Sequence, residues 1–239
     1  ACGLGIIFLS YWMNLLWGQG KRLLALLMLP LMFITLQTLV WGGSRSALGI
    51  SVGASLLLVW LSNKNVGKTI LVFSAFVALA FIATPVLMSD SHKMQSKQGG
   101  MNFVDESGET SRTALWNARV EEFRSSPIWG IGFGVTGIGD EAKSGRAETG
   151  SGWLTVLSQT GIIGLILALL IVKRAMLPLR LLRKNHRMAL YSALLAFLCL
   201  HTMFEAYLFQ SGWYLCFVFW LIVSVLDDYK KFYKMELAR

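Results

Sequence analysis

Seven apolar runs, joined by short links and one long polar segment, leave this chain little choice of fold. They cover roughly residues 1–17, 23–41, 46–62, 69–88, 152–172, 188–208 and 211–226. Most reach the ~20 residues that carry an α-helix across a bilayer, and the first and last lie near the lower limit of ~17. No run alternates apolar and polar residues with period two, which argues against membrane strands. Only 15% of the 239 residues are charged, and mean hydropathy is +0.57. Soluble domains carry about 25% charged residues. The expected fold is therefore all-α: a polytopic helical membrane bundle of about seven spans with one large loop. Four spans fall in 1–88, the loop in 89–151, three spans in 152–226 and a tail in 227–239. Ala1 lies inside an apolar run with no basic stretch before it. This predicts no signal peptide and a chain that begins further upstream.

Charge sidedness orients the bundle. The links holding Lys21, Arg22, Lys64, Lys68 and Lys173 through Arg187, together with the tail, carry 14 of the 22 basic residues. They hold only three acids: Asp227, Asp228 and Glu236. The positive-inside rule assigns that side to the cytoplasm. The loop 89–151 is then expected on the outer side. The net charge of +9 reads as a topology signal and an attraction to anionic lipid, with no nucleic-acid partner implied. Cys2, Cys199 and Cys216 show no metal or disulfide spacing. The three histidines fall on different segments, and no metal site is expected.

The outward side concentrates the chemistry. Gly42-Gly43-Ser44-Arg45-Ser46 leads into the third run. An arginine beside the unpaired N–H groups of a helix start suits a phosphate; the alternative is an arginine snorkelling at the interface. Residues 112–124 read as an amphipathic helix with Ser111 as N-cap. Arg112, Trp116, Arg119 and Phe123 share one face, with Leu115 beside them. A surface-lying helix explains the aromatics. Arginines on that same face fit the wall of a polar cavity. Pro127 ends the helix, and Gly130, Gly132 and Gly134 follow. Without a βαβ unit they are no dinucleotide fingerprint but a closely packed or flexible loop. Glu148 precedes the fifth run, and Glu205 lies near the outer end of the sixth, with His201 one turn away. Ionisable groups in a span are functional candidates. His201 also reads as a neutral core residue, and Glu205 as the partner of an outer arginine.

These residues resemble the bacterial O-antigen ligase and O-antigen polymerase superfamily, in its C-terminal part. Gly43-Ser44-Arg45-Ser46-Ala47-Leu48 is similar to a Ser-Arg element that opens a membrane helix. Ser111-Arg112 through Trp116, with Pro127-Ile128-Trp129-Gly130-Ile131-Gly132, resembles the arginine-to-PxxGxG element of the family's large periplasmic loop. Trp153-Leu154 through Gly161-Ile162-Ile163-Gly164 resembles the start of its next helix. The likeness covers roughly residues 40–225. It implies a GT-C-type membrane glycosyltransferase that uses undecaprenyl-diphosphate-linked glycan at the periplasmic face. The lipid diphosphate would be held by Arg45 and Arg112, with Arg119 as a further contact.

Ligases of this superfamily carry a histidine near the position of Gly150, and this chain has none there. The resemblance thus favours a polymerase of lipid-linked repeat units over a ligase that delivers glycan to lipid A core or protein. Glu148 and Glu205 are the carboxylates expected to serve the acceptor hydroxyl. No cofactor or metal is expected. Donor and acceptor are lipid-linked glycans in the membrane, with a chain-length regulator or flippase as possible protein partners. A transporter or flippase of the same glycan and a non-catalytic scaffold are the readings outside this class. A transporter should show internal repeats and polar midplane helices, and neither is seen in this sequence.

Overall fold

The computed structural model describes residues 2–41, 45–62, 67, 74, 111–133, 150–209 and 214–237. The fourth apolar run, 69–88, and the loop apart from 111–133 and 150–151 lie almost entirely outside them. Every regular element among the described residues is helical. In chain order these are α1 (Cys2–Gly18), α2 (Arg22–Leu26), α3 (Met28–Trp41), α4 (Arg45–Ser62), α5 (Ser111–Ser125), α6 (Gly152–Ala175), α7 (Leu179–Lys184), α8 (His186–His201) and α9 (Tyr214–Leu237). Two stretches, Arg22–Leu39 and Gly152–Ala175, are long and apolar enough to cross a membrane; Cys2–Gly18 and Ser46–Ser62 are shorter apolar helices.

The chain divides into two compact units. The first comprises Ala1–Gly99 and Leu177–Phe197. Ile6, Met32, Leu39 and Ala47 form its core, drawn from α1, α3 and α4. Small residues line the helix contacts, as expected where lipid offers no hydrophobic drive and close backbone approach must supply the packing. Ser10, Ser51 and Ser55 are buried there. Their hydroxyls donate back to the carbonyls of Ile6, Leu48 and Ser51 at 2.8, 2.9 and 2.8 Å, so each of these three has an acceptor.

The second unit comprises Gly100–Met176 and Leu198–Arg239. The apolar run expected over 188–208 is helical only to His201. Past that point the backbone turns. Gly152 N–H donates to Thr202 O at 2.7 Å, and Thr202 Oγ donates to Glu205 O at 3.0 Å. Tyr207, fully buried, then anchors the returning chain by donating from its hydroxyl to Leu198 O at 2.7 Å. The last helix also departs from its apolar run. α9 continues through the basic tail, where Lys231 meets Asp227 at 2.9 Å and Asp228 at 3.3 Å along the helix face. Asp227 also accepts from Arg174 Nε at 2.8 Å, which ties the charged ends of α6 and α9 together.

Candidate functional site

α6 is broken. The apolar run 152–172 reads as one span, yet Gly161 takes φ 65° and ψ −167° inside it. A regular helix would bond Ile162 N–H to Ser158 O and Ile163 N–H to Gln159 O. The break releases those groups. The segment after α5 takes up three of these four. Ile131 N–H donates to Ser158 O at 3.0 Å, Gly132 N–H donates to Gln159 O at 3.1 Å, and Ile162 N–H donates to Pro127 O at 2.9 Å. Backbone lies directly on backbone here. A Cβ at Gly161 would run into the Ile128 carbonyl, and one at Gly130 (φ 73°) into that of Gln159. Two motifs distant in sequence, Pro127–Gly132 and Ser158–Gly161, therefore form one stitched element. The signal in the sequence is the polar cluster Ser158-Gln159-Thr160-Gly161 within an apolar run.

α5 supplies a second layer. Trp116 Nε1–H donates to Gly150 O at 3.3 Å. Gly150 has φ 66°, and a Cβ there would press on Leu115 at 3.1 Å and Trp116 at 3.4 Å. Ser151, buried, caps α6 through its Oγ. A Cβ on Gly152 would meet the Thr202 hydroxyl. The Gly150-Ser151-Gly152 turn is thus held between α5 and the turn after α8. Arg119 is 3% exposed and pairs with the fully buried Glu122 at 2.8 Å. On the outer face, Arg124 and Glu121 pair at 2.6 Å in the open. Helical spacing set Arg119 with the aromatics; it did not reveal Glu122 as its counter-charge.

The remaining expected residues fall as follows. Arg112 sits in the first turn of α5, on the same helix as Arg119. Arg45 opens α4, in the other unit. The side chains of Arg45 and Arg112 lie outside the described set, as does Glu148 altogether. Glu205 is partly buried in the turn whose carbonyl accepts from Thr202 and abuts Gly152. His201 is buried and stacks on Tyr207, ring centroids 5.8 Å apart. Arg119, Glu205 and the glycine turn therefore share a unit with Arg112.

No curated protein and no solved structure matches the chain. A profile of the family described as O-antigen ligase (Wzy_C) matches residues 30–169, more than half of the 239. That interval contains Arg45, α5 and both halves of the stitched element, and it stops short of Glu205. The apolar helices, the broken span and this match agree: the chain is an integral membrane protein and belongs to the O-antigen ligase family, within the ligase and polymerase superfamily of membrane glycosyltransferase-like enzymes.

Proposed function

We propose that the protein polymerises undecaprenyl-diphosphate-linked repeat units at the periplasmic face of the inner membrane, as a GT-C-type glycosyltransferase. The observation that carries this over ligation is Gly150. Where the superfamily's ligases place a histidine, this chain holds a glycine in a left-handed conformation, pressed against Leu115 and Trp116. A side chain there would be strained and crowded. The matching family's description as O-antigen ligase supports ligation as the second reading.

In the proposed reaction a hydroxyl of the acceptor's non-reducing sugar attacks the anomeric carbon of the donor. The bond from that carbon to the diphosphate oxygen breaks, and undecaprenyl diphosphate leaves. The hydroxyl proton passes to a carboxylate, for which Glu148 and Glu205 are the candidates. Arg112 and Arg45 stabilise the charge that grows on the diphosphate, since a guanidinium can hold two phosphate oxygens at once. Arg119, already matched by Glu122, keeps the face of α5 in place. Arg112→Ala and Arg45→Ala are each expected to slow glycan extension by about 10²–10³, the usual loss for a missing charge stabiliser. Chain length on a glycan gel measures this, with lipid-linked donor and purified protein as the companion assay. Full-length ladders from both variants would refute the diphosphate assignment. Intact lipid-linked polymer that fails to reach lipid A core in a deletion strain would establish ligation instead.

A further inference from the structure

We infer that α5 and the chain through Phe133 form a re-entrant element, with Ile128, Trp129 and Phe133 in contact with bilayer hydrocarbon. Two rulers within the second unit carry this. The first runs along α6. Arg174 pairs with Asp227 at 2.8 Å, and Lys230 Nζ donates to Arg174 O at 3.0 Å, so the charged ends of α6 and α9 mark one membrane surface. Gly161 precedes Lys173 by about 18 Å of helix at 1.5 Å per residue. The hydrocarbon core is about 30 Å thick. The break, and the Pro127–Gly132 backbone bonded to it, thus lies well inside that core. The second ruler runs along α9. Trp220 stands about 10 Å from Asp227 along the helix. Its ring packs on Phe209 at 5.4 Å, and Phe209 packs edge-on against Phe133 at 5.7 Å. Even laid end to end along α9, these contacts leave Phe133 short of the far surface. Any tilt of either helix moves it deeper.

The chemistry agrees with the depth. No charged residue occurs between Arg124 and Asp140. Trp129 is 74%, Phe133 62% and Ile128 56% exposed, with apolar groups only. Below the break, Ile162, Ile163, Ile166, Leu167 and Leu170 are exposed as a lipid-facing helix requires, whereas no residue from Ser151 to Gly161 is. Non-helical backbone is tolerated at this depth only when its polar groups are satisfied within the protein, as Ser158 O, Gln159 O and Ile162 N–H are at the break. The other side of α5 bears Asn117, Glu121 and Arg124, all exposed. Trp116 bonds Gly150 at the outer end of α6, so Glu121 and Arg124 lie on the descent from that end towards the break, where charges need water, and that side faces an aqueous vestibule that enters the bilayer.

Spin labels test the assignment in full-length protein reconstituted in phosphatidylethanolamine–phosphatidylglycerol vesicles, with Cys2, Cys199 and Cys216 replaced by alanine. Labels at Trp129→Cys and Phe133→Cys should be relaxed several-fold more by oxygen than by an aqueous nickel chelate. Their depth should exceed the roughly 6 Å headgroup zone. A label at Asn117→Cys should show the reverse preference. Ile166→Cys, on the lower half of α6, reports insertion in each preparation. Phe133→Cys carries the test if Trp129→Cys does not fold. Nickel access at 129 and 133, or a depth within the headgroups, would overturn the re-entrant assignment and leave an interfacial anchor.

Discussion

Gly161 and Gly130 show how single positions hold the candidate site together. Each has a positive φ, and each lies where a methyl group would overlap a carbonyl across the stitch. Alanine at either site meets two penalties, a backbone conformation costing about 1–3 kcal/mol and the separation of the two stitched backbone segments. Gly161→Ala and Gly130→Ala should therefore lower the melting temperature in detergent and reduce glycan extension together. Gly49 and Gly53 in α4 provide the contrast, because a Cβ there meets nothing and φ is helical. Alanine at those two should leave stability unchanged or raise it by about 0.5–1 kcal/mol through helix propensity. If Gly161→Ala melted like wild type, the backbone contact would not be the reason for this glycine.

Helix α5 carries two ion pairs of the same spacing in opposite surroundings. Arg119–Glu122 is buried and Arg124–Glu121 is exposed. Removing one partner of a buried pair leaves an uncompensated charge and costs about 3–5 kcal/mol, whereas an exposed pair is worth ~0–1 kcal/mol. Glu122→Gln should thus destabilise the protein far more than Glu121→Gln, as read by melting and by protease resistance. Pairing Arg119→Met with Glu122→Leu should recover much of the loss. Equal effects at 121 and 122 would deny the burial of the pair. The pattern also shows what was legible beforehand. The helix itself was, from Ser111 and the apolar spacing. The face shared with Trp116 and Phe123 suggested that Arg119 lines a polar cavity, whereas the structure buries it against Glu122. The counter-charge was not legible, since an i,i+3 acid is common on any helix. The break in α6 was hidden for a related reason. Hydropathy averages over about 20 residues, and four polar ones at Ser158–Gly161 vanish in an apolar window. The early end of α8 was hidden likewise, because Thr202 through Tyr207 keep the run apolar while backbone bonds to Gly152 turn the chain.

The scarcity of charge across the whole chain was legible as a membrane composition, and the structure adds that one charged end is a built contact. The Arg174 guanidinium, and then the Lys231 ammonium, hold the Asp227 carboxyl down at about 2. Pairing with Asp227 raises both cations. An unfolded aspartate titrates near ~3.9. Because the folded value lies below the unfolded one, this contribution to stability is fully present above about pH 4 and is lost as pH falls through about 2. Asp227→Asn should therefore flatten the acid limb of a melting-temperature profile between about pH 4 and 2 relative to wild type. It should also reduce stability slightly at neutral pH. The amplitude should be small, because Arg174 and Lys231 are largely exposed and solvent screens them. At about 1 M salt the Debye length falls to ~3 Å, and the difference between the two proteins should shrink further. Asp228→Asn removes only the longer contact to Lys231 at 3.3 Å, and should keep the wild-type limb. Superimposable acid limbs for wild type and Asp227→Asn would show that α6 and α9 are held at this surface by their apolar packing and not by the ion pair.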